Sequence, residues 1–147
     1  MIRERKLPPD VLRKIPRMIE ALRARDDVVA LFFFGGLSKE ELKPLSDLDF
    51  GLLLEDHLNP RALFERQLDL IGIVADQLDT EEFDLIILNN APLRFSHQIL
   101  KNGKKIFVKD DRQLGEFQER VVKKYLDFLH YRREFDRTFL GGLGLHG

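Results

Sequence analysis

Residues 28–54 read VVALFFFGGLSKEELKPLSDLDFGLLL, and the order of events in that stretch decides the fold. Val28 to Phe34 is β-branched and aromatic with no polar alternation, the pattern of a strand covered on both faces and so of a central strand. Gly35-Gly36 ends it, and a polar loop runs through Ser38, Lys39 and Pro44 to Ser46. Leu48 to Leu54 then reads as a second strand that closes at Glu55-Asp56-His57. Two carboxylates, Asp47 and Asp49, stand where this second strand begins. Side chains two apart on a strand share a face, so the pair lies side by side with Cα atoms about 6.5–7 Å apart while Leu48 turns into the core.

Upstream, Pro8-Pro9-Asp10 is a helix start, and Val11, Ile15, Met18 and Leu22 follow as an amphipathic stripe before Asp26, interrupted by Pro16. Pro16 implies either a short turn and a new helix or one kinked helix. Downstream, Asn59-Pro60 is a cap with proline at the first helical position. Leu63, Leu68, Ile71, Val74 and Leu78 mark the helix of some twenty residues that follows. A third strand, Phe83 to Leu88, carries Asp84; Ala91-Pro92 breaks it, and Leu93 to Leu100 reads as a short helix. Asn102-Gly103 turns into a short strand, Lys105 to Val108. From Gln113 to Leu140, the positions Phe117, Val121, Tyr125, Phe128, Arg132 and Phe135 keep helical spacing, and Gly141-Gly142 stops that helix. The tail from Leu143 to Gly147 reads as frayed or used in assembly. The expected architecture is α/β (α+β): a single domain over 1–147, with a small mixed sheet of about four strands flanked by helices and the long C-terminal helix packed across it.

Composition narrows the chemistry. The 147 residues include no cysteine, which removes disulfides, zinc–cysteine sites, iron–sulfur clusters and thiol nucleophiles together. Twenty-four Lys+Arg against twenty-five Asp+Glu give a net charge of −1, so no global positive field gathers nucleic acid or anionic lipid. The longest apolar-rich run, Val28 to Leu37, is too short to span a membrane, and a cytoplasmic location is the reading. His57, His97, His130 and His146 have no ligand spacing between them. Arg120, Lys123, Lys124, Arg132 and Arg133 read as a solvated helix face interleaved with acids.

The carboxylates remain. If the strand bearing Asp84 lies beside the second strand, three acids, Asp47, Asp49 and Asp84, converge on one face and need a cation. Mg²⁺ suits them, since it takes hard oxygen ligands and is held by one or two carboxylates plus substrate phosphates. Two ions could be bridged by Asp47 and Asp49, with Asp84 serving the ion at the attacking oxygen. Gly35 and Gly36 let backbone N–H groups approach a triphosphate such as ATP, and Ser46 adds a hydroxyl. Taken alone, Ser46-Asp47-Leu48-Asp49 is also the pattern of an Asx turn with a solvated end. Asp84 inside an apolar run is what favours the metal reading, because a strand acid there is costly unless solvated or metal-bound.

This order of hydrophobic strand, Gly-Gly, nine residues, Ser-Asp-x-Asp, strand, helix and Asp-bearing strand resembles the minimal nucleotidyltransferases of the DNA polymerase β-like superfamily. The segments Asp84 to Phe95, Ile99 to Gly103 and Tyr125 to Phe128 resemble the antitoxin branch paired with HEPN-domain ribonuclease toxins. The resemblance covers roughly residues 8 to 140. It implies that Asp47, Asp49 and Asp84 hold Mg²⁺ and that Gly35, Gly36 and Ser46 form the phosphate loop. It also implies transfer of AMP from ATP to a tyrosine of the HEPN toxin, silencing it. The loop departs from the family pattern: Gly36 stands in place of serine, Leu37 follows, and Glu40 replaces a later glycine, leaving Lys39 as the basic position. Two alternatives follow, an antitoxin that neutralises by binding alone and a transferase for a small hydroxylated compound.

Overall fold

The computed structural model describes residues 10–35 and 48–142. Its elements in chain order are α1 (Val11–Arg23), β1 (Val28–Phe34), β2 (Asp49–Leu54), α2 (Pro60–Leu78), β3 (Asp84–Ile87), α3 (Leu93–Asn102), β4 (Lys104–Val108) and α4 (Asp111–Gly142). The four strands form one sheet in the order β3-β2-β1-β4. β1 runs antiparallel to both β2 and β4, and β3 is parallel to β2, so the sheet is mixed. Every residue of β2 is buried and all of β1 but Phe34, which is why both read as unbroken apolar runs.

Alternate residues of the strands feed two cores. On one face Leu31, Phe33, Phe50, Leu52 and Leu85 pack against α1 and α2 through Met18, Leu22, Leu70 and Val74. On the other face Ala30, Phe32 and Leu53 meet Ile99 of α3 and Leu114, Phe117 and Val121 of α4.

α1, α2 and α3 start where the sequence signals place them, and α4 starts at Asp111, two residues before the expected Gln113. α1 buries Val11, Ile15, Met18 and Leu22 and continues through Pro16 as one helix. Leu12, whose carbonyl loses its helical donor to Pro16, is on the exposed side with it, where water can take that carbonyl. Lys109 closes the far end of α1, its ammonium donating to the carbonyls of Arg23 at 2.9 Å and Arg25 at 2.6 Å. At α2 the Asn59 side chain accepts from the Ala62 N–H at 2.8 Å, with Pro60 as first helical residue.

Four expectations need correction. Leu68 is exposed and Leu70 takes its place in the core. Five residues beyond Leu63, Leu68 sits about 140° round the helix, whereas seven residues bring Leu70 back to the same side. The third strand ends at Ile87, and Leu88–Asn90 forms a 3₁₀ turn. There the Asn89 amide stands in for a strand backbone, accepting from the Leu54 N–H at 2.8 Å and donating to the Leu54 carbonyl at 2.9 Å. The long C-terminal helix packs across the sheet only through its first third. α4 has 32 residues, about 48 Å of helix, and beyond Val121 none of its described side chains is buried. Phe128, Tyr131, Phe135 and Phe139 therefore form an exposed stripe that continues the face burying Phe117 and Val121. Gly141 and Gly142, expected to stop the helix and begin a loose tail, are its last two residues; the rest of the tail expectation, at 143–147, falls outside the described residues.

At the start of β1 the Asp27 carboxylate is 4% exposed and receives Arg25 in bidentate fashion at 3.1 and 3.0 Å and Arg66 at 2.7 Å. Burial pushes this carboxyl up, but the two guanidinium partners outweigh it and hold it below the usual carboxylate range.

Candidate active site

β1 ends at Gly35, which takes φ = +66°, a conformation that glycine adopts without steric cost. The last residue of β1, Phe34, is paired with Asp49, the first of β2. Asp49 is in turn paired with Asp84, the first residue of β3. Residues directly paired across strands share a face, so Phe34, Asp49 and Asp84 form one row at one end of the sheet, on the side of α3 and α4. Neighbouring strands lie about 4.8 Å apart, which brings the two carboxylates side by side. The backbone fixes this alignment a step earlier as well, where the Asp84 N–H donates to the Leu48 carbonyl at 2.9 Å.

The other side of the same strand ends is aromatic. Phe33 meets Phe50 edge-on with ring centroids 5.4 Å apart, and Phe50 meets Phe83 at 6.0 Å. Leu48 is buried in that core, as its place between the two acids requires. The acid row thus stands on a packed hydrocarbon floor. Asp49 is 5% exposed, while Asp84 at the sheet edge is open to solvent. Two carboxylates so placed repel each other, and a cation between them removes that cost.

Gly35 is built against the same acid. A Cβ on Gly35 would collide with the Asp49 carboxylate oxygen Oδ2, so the glycine is required by contact as well as by its positive φ. That need was not visible in the sequence, where Gly35-Gly36 signalled only a strand end and a phosphate approach.

Of the six residues singled out from sequence, Asp49, Asp84 and Gly35 are thus brought together. Asp47, Gly36 and Ser46 lie outside the described residues. Among the described residues no group of three His, Asp or Glu side chains is placed to hold a metal ion. The oxygen donors of Asp49 and Asp84 suit a hard cation such as Mg²⁺. Among the described residues the histidines form no cluster: His97 stacks on Tyr125 at 3.8 Å, and His57, at φ = +78°, sits at the opposite end of β2. Arg120, Lys123, Lys124, Arg132 and Arg133 are exposed, as read, with Arg120 reaching Asp56 at 3.3 Å. Among the described residues no helix is long and apolar enough to cross a membrane.

Comparison with protein families matches residues 17–112 to polymerase beta, nucleotidyltransferase. Comparison with curated proteins finds no match. Among solved structures, a chain of a toxin–antitoxin complex with AMP-PNP superposes with a TM-score of 0.61 at 21% identity, covering 87% of this chain and 97% of that one. A chain of the toxin–antitoxin pair MntA-HepT gives 0.59 at 21%, covering 88% and 98%. A third belongs to a complex of tri-AMPylated Shewanella oneidensis HEPN toxin with MNT antitoxin, at 0.57 and 20%, covering 88% and 96%. At these identities the likeness is one of fold.

Proposed function

Because the chain belongs to the polymerase beta nucleotidyltransferase family, with the matched region spanning the acid row, we propose that it is an Mg²⁺-dependent adenylyltransferase that moves AMP from ATP to a tyrosine hydroxyl of a HEPN-domain toxin. It thereby serves as the antitoxin of a toxin–antitoxin pair in the cytoplasm. The observation that carries this reading is the in-register pairing of Asp49 with Asp84 beside the Gly35 turn. It draws support from the related folds, one crystallised with AMP-PNP and one in complex with an AMPylated toxin. The exposed stripe of Phe128, Tyr131, Phe135 and Phe139 is the kind of apolar surface that protein partners cover.

Asp49 and Asp84, with Asp47, would hold the metal, and bound Mg²⁺ supplies charge neutralisation on the phosphates. The Gly35 turn admits the polyphosphate chain close to the backbone, with Gly36 and Ser46 completing the loop. Asp84, the open member of the row, would take the proton of the incoming hydroxyl. Oxygen then bonds to the α-phosphorus as the bond to the β-phosphate oxygen breaks, and pyrophosphate leaves. The protein's share is positioning and electrostatics.

The test incubates the purified chain with ATP, Mg²⁺ and a HEPN partner and reads the partner's mass. A gain of AMP that is abolished by Asp49→Asn and by Asp84→Asn, both still folded, supports the reading; transfer that survives in the double variant refutes it. The loop departures at Gly36, Leu37 and Glu40 favour one competitor, an antitoxin that binds without catalysis. A tight complex with an unmodified partner would establish it.

A further inference from the structure

The row of acids does not end the polar surface at this end of the sheet. β4 pairs with β1 on the side away from β2, with Lys104 opposite Phe33 and Lys105 opposite Phe32. Phe32 lies two residues before Phe34, so the two share a face, and Phe34 is paired with Asp49. Lys105 therefore belongs to the same face as Asp49 and Asp84, on the other side of β1, while Lys104 belongs to the opposite face. Both lysines are exposed. β4 is held in this register at its entry, where the Gly103 N–H donates to the Ile99 carbonyl at 2.7 Å and a Cβ on Gly103 would press on the carbonyls of Ile99 and Phe33.

One end of the sheet thus carries carboxylates on β2 and β3, a side-chain-free turn at Gly35 on β1, and an ammonium group on β4. Lys105 is level with Gly51, two residues in from the acid row, so two strand spacings and that offset put its Cα about 12 Å from that of Asp49. A polyphosphate bound at the acids and passing over the Gly35 turn would come toward Lys105, whose flexible four-carbon stem could span the remainder. We propose that Lys105 binds the terminal phosphates of the nucleoside triphosphate, and so also the pyrophosphate that leaves. This rests on the adenylyl-transfer reading above and adds to it a cation on the far flank of the site.

A lysine on an edge strand also guards against pairing with other chains, and on that account Lys104 and Lys105 are equivalent. The two roles separate by face. In calorimetric titrations of the full chain with ATP and Mg²⁺, and with inorganic tripolyphosphate, Lys105→Ala is expected to weaken binding about ten- to a hundred-fold, the loss of one charge-assisted contact. Lys105→Arg is expected to restore most of it, AMP binding to stay within about two-fold, and Lys104→Ala to bind ATP as the wild type does. Equal ATP binding by wild type and Lys105→Ala, or equal losses in the Lys104 and Lys105 variants, overturns the assignment and leaves the transferase reading standing. A wild-type chain that binds neither ATP nor tripolyphosphate overturns both.

Discussion

Replacing Gly35 by alanine tests the site at its tightest point. The residue sits at φ = +66°, where an L-residue with a side chain costs about 1–2 kcal/mol, and that share of the effect appears in stability alone. The second share is steric, since the new methyl group would collide with Asp49 Oδ2. β2 cannot retreat, because all six of its residues are buried between two packed layers, so the Asp49 carboxylate must swing away. A misplacement of about 1 Å in a catalytic group costs on the order of a hundred-fold in rate, or about 2.7 kcal/mol in the barrier. Gly35→Ala is therefore expected to lose roughly 1–2 kcal/mol in urea unfolding and at least a hundred-fold in AMP transfer under conditions where it is fully folded. Gly51→Ala is the control, on the same face of β2 one pleat along. Its Cβ would meet Ile99 Cγ2 at 3.4 Å and Leu88 Cδ2 at 3.7 Å, close but ordinary contacts. Transfer by folded Gly35→Ala within a few-fold of wild type would refute the claim that this turn and Asp49 are built against each other.

Other expectations concern the frame. Asp27→Asn removes an acceptor shared by Arg25 and Arg66 and should cost about 2 kcal/mol by denaturant titration, since hydrogen bonds to charged groups are worth roughly 1.5–3 kcal/mol. The Asp27 carboxyl is held below its unfolded value of 3.8, so its stabilisation is present above that pH and fades as pH falls through the folded value. The gap between wild type and Asp27→Asn should accordingly narrow below about pH 4, and a gap that widens there contradicts the assignment. Asn89→Ala deletes both bonds to Leu54 and should lower stability by roughly 1–3 kcal/mol, with amide exchange at Leu54 accelerated. A chain ending at residue 130 removes, among the described side chains, only exposed or half-buried ones of α4 and should melt within about 2 °C of the full chain; a larger drop would mean the projecting half supports the body. The same truncation should weaken partner capture if the aromatic stripe is a docking face.

Much of this could be read from local pattern. The run Val28 to Phe34 has no polar position, and a chain segment with no polar side must be covered twice, which placed β1 in the middle of the sheet before any contact was known. Asn59-Pro60 and the apolar stripe of α1 are equally local, because caps and helical periodicity act within a few residues. The candidate acids were legible for the same reason, Asp47 and Asp49 where an apolar run begins and Asp84 as a lone acid within the run Phe83 to Leu88. Leu68 was misread although helical spacing from Leu63 already favoured Leu70, which returns to the buried side while Leu68 falls well off it.

Sequence by itself determined which segments are strands and helices, which faces are apolar, and that carboxylates stand at the strand starts, since all of these follow from the spacing of side chains along a single chain. Only the tertiary structure decided the rest: that β3 joins β2 in parallel with Asp84 level with Asp49, that β4 takes the far edge and turns Lys105 toward the acid face, that Gly35 abuts Asp49, and that α4 outruns the body it packs on. Each is a matter of register between distant segments, and a slip of one residue would reverse every face while leaving the local pattern unchanged.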